Sequence, residues 1–177
     1  EREAMLTAIG VWALFQGLHV AHVTLTYKHA RRERPKWAGG DAAGEMRWLA
    51  WRLGEERRAL TEAYRKLTGG RMWKEFVHDV GWSAARSLEV THGAHGWHPH
   101  LHLLVVTNEP LHGFICAALA SRWVECFEVT TREKDRAARV DRSRCGVPHV
   151  ALRARPLTTE KDVIAASKYL TKEEKSE

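Results

Sequence analysis

The sequence lacks several features that would place it in a common protein class. It has three cysteines, Cys116, Cys126 and Cys145, and no CxxC pair. A scattered, odd set of this kind argues against a disulfide framework or a thiolate zinc site, and it favours a reduced, cytoplasmic compartment. The most apolar early stretch, residues 8–25, is interrupted by polar side chains and is too polar to span a membrane. The sequence also contains no internal repeat and no low-complexity segment.

The bulk properties are those of one globular domain with a basic surface. A chain of 177 residues is long enough for a hydrophobic core, and 44% of its residues are hydrophobic. The formal net charge is +6 at pH 7, which favours polyanionic partners, nucleic acid first among them. Because the chain begins without a methionine and stops soon after a helix-like segment, we expect a single domain over 1–177 that was cut from a longer protein.

Hydrophobic periodicity predicts a mixture of helices and strands. Helical spacing covers 2–17, 42–68, 70–80, 111–125 and 158–175, and the alternation typical of strands covers 19–27, 84–91, 98–107, 127–131 and 147–153. In the first helix the spaced apolar side chains are Met5, Ile9, Trp12 and Phe15. The basic segments 31–36 and 132–144 are predicted to be loops. Since helices and strands do not alternate strictly, we expect an α+β fold with helices on one face of an antiparallel sheet.

Histidine is concentrated around the stretch GWHPHLHLLVV, which covers Gly96–Val106. Strand alternation sends Leu101, Leu103 and Val105 to the core, so that His100 and His102 share the opposite face. Three further histidines, His92, His95 and His98, lie in or beside the preceding loop. For these three we expect a solvated loop position or contact with a nucleic-acid backbone.

A carboxylate on the neighbouring strand completes a candidate metal site. If Thr91 and His98 flank the loop, Glu89 lies opposite His100; a register shifted by two residues places it opposite His102. Two imidazoles and one carboxylate leave coordination positions open for water or substrate. This donor set suits Mn²⁺ or Mg²⁺ where the substrate supplies phosphate oxygens, and Zn²⁺ less well. The alternative is that the histidines decorate a solvated hairpin.

Three segments of the sequence resemble motifs of one enzyme family. The His-hydrophobic-His strand is the signature of the HUH endonucleases, which nick single-stranded DNA. The longer stretch LEVTHGAHGWHPHLHLLV resembles motif two of the rolling-circle plasmid replication initiators, the Rep family of Gram-positive bacteria. VTLTYKH at Val23–His29 is similar to motif one, and SKYLTK at Ser167–Lys172 is similar to motif three, which contains the catalytic tyrosine. The motifs occur in the family's order and span nearly the whole chain.

The resemblance implies a tyrosine nucleophile and a metal-assisted DNA nick. Tyr169 is the only phenol on the final helix, and attack by its oxygen would give a 5′-phosphotyrosine and a free 3′-hydroxyl primer. No general base for Tyr169 is evident from the sequence. Lys172, three residues on, is expected to share its helix face and either to stabilise the phenolate or phosphate or to be a solvated lysine.

The resemblance also implies a fold and a set of partners. The fold would be RRM-like or ferredoxin-like with the active site on the open face of the sheet, and the partners would be single-stranded or hairpin origin DNA, a host helicase and a DNA polymerase, without a membrane. Candidate DNA contacts are Arg31, Arg32, Arg34, Lys36, His98 and Lys168. Trp37 and Trp97 are alternatives for base stacking or core packing.

One position departs from the family pattern. Members often have a glutamate one turn before the tyrosine, where this chain has Ala165; the nearby Asp162 is expected to form a capping box with Thr159. The absence of that glutamate leaves open how this chain would carry out the family's termination step. The alternatives are a conjugative relaxase or a single-tyrosine transposase of the same superfamily, or a non-catalytic, metal-stabilised DNA-binding module.

Overall fold

The computed structural model describes residues 1–27, 40–93, 96–137 and 152–172, with the backbone alone at residues 92–93, 96–98 and 133–137. Its helices are α1 (Arg2–Phe15), α2 (Ala42–Gly69), α3 (Arg71–Val80), α4 (Gly113–Ala137) and α5 (Glu160–Thr171). Its strands are β1 (His19–Leu25), β2 (Ser83–Gly93), β3 (Gly96–Thr107) and β4 (Leu152–Leu157). Within the described residues, no helix is long and apolar enough to cross a membrane.

The four strands form one antiparallel sheet in the order β2-β3-β1-β4. This confirms the α+β class and the antiparallel sheet of the ferredoxin-like type. In the β2–β3 hairpin Thr91 lies opposite His98 and Glu89 lies opposite His100, which is the first of the two predicted registers. The central strand β3 also pairs with β1, where Thr24 lies opposite His102.

Helices pack against both faces of the sheet, so the prediction of helices on one face only is wrong. On one face α2 and α4 cover a core that includes Val23, Leu101 and Leu103. On the other face α1 and α5 cover a second, smaller cluster of buried side chains. That cluster consists of Leu6, Ala13, Val20, Leu104, Leu157, Val163, Ala166 and Leu170. The face that holds the histidines is therefore partly roofed by α5.

For the region after residue 125, the sequence predicts a short strand at 127–131 and a loop at 132–144, of which residues 138–144 lie outside the described residues. Instead, α4 continues through the predicted strand to Ala137. Phe127 is buried and its ring stacks on that of Tyr27 at 3.9 Å. The hydroxyls of Thr130 and Thr131 donate to carbonyls one turn earlier, so these β-branched residues fit the helix in spite of their preference for strands. The final strand, predicted at 147–153, continues to Leu157, and residues 147–151 of the prediction lie outside the described residues.

The first helix buries a different stripe from the one that its large apolar residues suggest. Met5, Ile9, Trp12 and Phe15 are between 46% and 82% exposed. The buried positions are Leu6, Gly10 and Ala13, two of which are very small. Small residues allow a close approach of α5, and a Cβ placed on Gly10 would lie 2.6 Å from the Val163 side chain. The α1–α5 contact thus fixes how α5 lies on the sheet.

Substitution of Gly10 tests this close contact. We expect Gly10→Ala to lower the free energy of unfolding by about 1–2 kcal/mol, because overpacking against the buried Val163 outweighs the gain in helix propensity. Gly54→Ala is the matched control, since nothing lies within 4 Å of a Cβ at that helical position; it should raise the free energy of unfolding by about 0.5–1 kcal/mol. Urea unfolding measures both, and equal stabilisation by the two substitutions would contradict the α1–α5 packing.

Candidate active site

Five side chains that can transfer protons or bind a metal ion lie close together where the C-terminal half of α5 crosses the sheet. His22 comes from β1, Glu89 from β2, His100 and His102 from β3, and Tyr169 from α5. Strand alternation places the first four on the same face, because the register pairs Glu89 with His100, His102 with Thr24, and His22 with Leu104. The structure therefore assembles the predicted trio of Glu89, His100 and His102 together with the predicted nucleophile.

His102 is the most enclosed member of the group, at 5% exposure, and both of its ring nitrogens have partners. Its Nε2 lies 2.9 Å from Glu89 Oε2, and its Nδ1 lies 3.1 Å from the hydroxyl of Thr24. Glu89 thus bonds to the histidine diagonal to it rather than to His100 directly opposite. In this arrangement the ring of His102 is fixed from both sides.

Tyr169 reaches the same carboxylate from above the sheet. Its hydroxyl donates a hydrogen bond to Glu89 Oε2. Its ring stands edge-on to that of His102 at 4.9 Å and to that of His22 at 5.6 Å, while 41% of the residue stays exposed. Sequence reasoning found no acceptor for this phenol, because Glu89 was considered only as a metal ligand.

His100 lies nearer the hairpin and is only partly enclosed. Its Nε2 is 3.2 Å from the hydroxyl of Thr91, and its ring centroid is 6.2 Å from that of His102. Its Nδ1 is buried and has no hydrogen-bond partner among the described residues. A buried imidazole nitrogen without a partner is unfavourable, so this atom is a candidate ligand position.

His22 is a member of the group that sequence reasoning did not assign to it. Its ring centroid is 5.3 Å from that of His102, and its Nε2 is likewise buried without a partner in the described part of the chain. Alternation in β1 places the side chain of His22 on the face opposite to that of the buried Val23, and this pattern could have indicated that His22 belongs to the site. What the sequence did not reveal is that β1 lies next to β3.

Burial sets the protonation of these groups. Burial, reinforced by the nearby His102, lowers the pKa of His22 to about 4, and burial also lowers the pKa values of His100 and His102. Burial alone would raise the pKa of Glu89, but the hydrogen bonds from Tyr169 and His102 outweigh it and hold the pKa below its usual value. The site therefore combines neutral imidazoles with an ionised carboxylate near pH 7.

The Tyr169 phenol is held in its protonated form. Burial and the hydrogen bond to the charged Glu89 raise the pKa of Tyr169 to about 12. As a nucleophile at neutral pH, the phenol would need a group that accepts its proton or a cation that stabilises the phenolate. Glu89 is already in hydrogen-bonding contact with that proton.

The donor chemistry suits a divalent cation, although the side chains do not converge on one point. Neutral imidazoles with buried, unpartnered nitrogens and an ionised carboxylate are ligands for Mn²⁺, Mg²⁺ or Zn²⁺. Glu89 uses Oε2 for both of its hydrogen bonds. In the described ranges, however, no three His, Cys, Asp or Glu side chains are arranged to hold an ion. Binding a cation would require the Glu89–His102 hydrogen bond to rearrange.

The other predicted site residues lie outside this cluster or outside the described residues. Lys172 follows the last residue of α5 and is exposed, and Lys168 is exposed on the helix. Ala165 is exposed one turn before Tyr169, and Asp162 forms the expected capping box with Thr159. The side chains of His98 and Trp97 are not described, and the candidate contacts Arg31, Arg32, Arg34 and Lys36, together with Trp37, fall outside the described residues.

The chain matches no protein-family model, no curated protein and no solved structure. The relation to the replication initiators therefore stays a prediction that rests on the three sequence motifs.

The lowered pKa of His22 predicts acid sensitivity of the cation-free protein. A histidine whose pKa is about 4 when folded and near 6.5 when unfolded contributes stability that is present above pH 6.5 and is lost as the pH falls toward 4. The unfolding free energy of the wild type should fall between pH 7 and pH 4, and in His22→Gln this fall should be smaller by about 1–3 kcal/mol. His19→Gln, at an exposed position of the same strand, is the control. Urea unfolding with a chelator present measures this, and equal pH dependence in all three proteins would contradict burial of His22.

Proposed function

We propose that this domain is the catalytic domain of a rolling-circle replication initiator, an HUH-type endonuclease that nicks single-stranded origin DNA. The observation that carries the proposal is the hydrogen bond from the Tyr169 hydroxyl to Glu89, beside the His-hydrophobic-His strand. A lone histidine strand has many uses, and so has a lone tyrosine. Residues 80 positions apart in the sequence, each matching a different motif of one family, are in direct contact here.

The proposed reaction begins with the phenol proton. Glu89 accepts the proton from the Tyr169 hydroxyl, and the phenolate oxygen attacks the phosphorus of the scissile phosphodiester. The bond between phosphorus and the 3′-oxygen breaks, and that oxygen takes a proton from solvent. The products are a 5′-phosphotyrosine and a free 3′-hydroxyl that primes synthesis. Attack by a 3′-hydroxyl on the phosphotyrosine reverses the step and rejoins a strand.

His100, His102 and Glu89 would hold a divalent cation, Mn²⁺ or Mg²⁺ in preference to Zn²⁺. Such a cation polarises a phosphate and stabilises negative charge on its oxygens. The role of the protein is to present neutral imidazoles and one carboxylate on a rigid sheet. The hydrogen bond from Thr24 to Nδ1 fixes the ring of His102, and its Nε2 would become available to the cation once the hydrogen bond to Glu89 is broken.

The surroundings of Tyr169 favour a polyanionic substrate. Lys168 is exposed on α5, and Lys172 is exposed directly after it. Arg153 and Arg155 are exposed on β4, on the histidine side of the sheet, where Arg155 forms an ion pair with Asp162. Cationic side chains around an exposed tyrosine suit a phosphate backbone. A DNA substrate, a host helicase and a polymerase would be met in the cytoplasm.

A non-catalytic DNA-binding module is the second candidate. Ala165 replaces the acid of the termination step, and the pKa of about 12 at Tyr169 opposes ionisation of the phenol. A relaxase or a single-tyrosine transposase would use the same nicking chemistry for different biology. Covalent adduct formation distinguishes the enzymes from the binding module.

A covalent trapping assay tests the proposal. The protein is incubated with Mn²⁺ and a 3′-labelled pool of single-stranded DNA of randomised sequence, and label that comigrates with protein under denaturing conditions is measured and sequenced. We expect a wild-type adduct on a restricted set of sequences and complete loss of it in Tyr169→Phe. Glu89→Gln should lower the rate by about 10²- to 10⁴-fold or more, because glutamine cannot accept the phenol proton and also removes the carboxylate that would hold the cation.

The control is Tyr64→Phe, which removes the hydroxyl of a half-buried tyrosine on α2. Its adduct yield should equal that of the wild type. No wild-type adduct, or an undiminished adduct in Tyr169→Phe, would overturn the proposal.

A further inference from the structure

Thr24 is in direct contact with the most enclosed histidine of the site, from the strand on its other side. Its hydroxyl lies 3.1 Å from His102 Nδ1, and the β1–β3 register places the two residues directly opposite each other. Because β1 is paired on both edges, with β3 and with β4, the backbone of Thr24 is held by two neighbouring strands. No sequence motif assigned a role to this side chain.

The hydrogen bonds around His102 determine which of its nitrogens holds the proton. A neutral imidazole has one N–H and one lone pair. Glu89 Oε2 faces Nε2 at 2.9 Å, and an ionised carboxylate only accepts, so Nε2 donates to Glu89. Nδ1 is then the acceptor, and the hydroxyl of Thr24 donates to it.

Binding of a cation at His102 would reverse this pattern without changing the charge of the ring. A cation at Nε2 needs the lone pair of that nitrogen, so the single proton must be on Nδ1. Nδ1 then needs an acceptor, and a hydroxyl both donates and accepts. A backbone N–H at this position would favour only the first pattern, and a carbonyl only the second, whereas Thr24 fits both.

We propose that Thr24 is the positioning residue of the metal site: its hydroxyl holds the Nδ1 side of His102 in both states, so that Nε2 faces the cation. This inference rests on the proposed function, in which His102 binds a divalent cation. Partners of this kind orient the ring of a metal-binding histidine, and their loss commonly weakens metal binding 10- to 100-fold.

Mn²⁺ titration of the purified protein by isothermal calorimetry tests the inference. We expect Thr24→Val, which keeps the branched shape, to weaken Mn²⁺ binding by about 10- to 100-fold. Thr24→Ser, which keeps the hydroxyl, should restore most of the affinity. Thr61→Val, at an exposed threonine of α2, should bind Mn²⁺ as the wild type does. Circular dichroism of each variant verifies that the fold is retained.

A second measurement on the cation-free protein reports the hydrogen bond itself. The ¹⁵N resonance of His102 Nδ1 should shift in Thr24→Val and return toward its wild-type position in Thr24→Ser. A purely structural role for Thr24 would leave this resonance unmoved.

The outcomes separate the two proposals. Wild-type affinity in Thr24→Val, equal losses in the valine and serine variants, or an unmoved Nδ1 resonance would each overturn the role of Thr24 and leave the metal site standing. Failure of the wild type to bind Mn²⁺ would overturn the metal site and the role of Thr24 together. Failure of the wild type to form the covalent adduct in the trapping assay, with Mn²⁺ binding intact, would overturn the nicking function alone.

Discussion

From Pro99 to Thr107, strand β3 is covered on both faces, yet one face holds aliphatic side chains and the other holds histidines, and the rest of the site depends on this. Leu101, Leu103 and Val105 pack under α2 and α4, so the pleat sends His100 and His102 to the other side. A shift of one residue would bury the imidazoles among aliphatic side chains, which is why the register is strongly specified. The aliphatic face is thus what holds the histidines beside Glu89 and beneath Tyr169.

Most of the sheet, and the trio on it, could be predicted from the sequence because the relevant signals are local. Alternation between leucine and histidine fixes the two faces of β3. It left two registers of the hairpin open, both with Glu89 on the histidine face, and the structure has the one that pairs Glu89 with His100. Gly81 marks the end of α3 with a left-handed φ of 65°, and Thr159 with Asp162 marks the start of α5 by its capping box. Each of these signals lies within a few residues of the feature it specifies.

The features that were missed depend on contacts between distant segments. The placement of His22 requires β1 to lie beside β3, and the Glu89–Tyr169 hydrogen bond joins residues 80 positions apart. The large apolar residues of α1 suggested the wrong buried stripe, because packing against α5 selects small residues such as Gly10. At the end of α4, tertiary burial of Phe127 overrides the strand preference of the threonines that follow it.

The roof that α5 forms over the histidine face has two opposite consequences for the proposed chemistry. Desolvation removes charge from the imidazoles, which keeps lone pairs available for a cation. The same desolvation, with the charge of Glu89, opposes ionisation of Tyr169 and keeps the nucleophile protonated while it rests against the carboxylate. A positive charge bound next to Glu89 would weaken that second effect, since it offsets the carboxylate and favours the phenolate. In the proposed enzyme, occupation of the histidine site and readiness of the tyrosine are therefore coupled through one carboxylate.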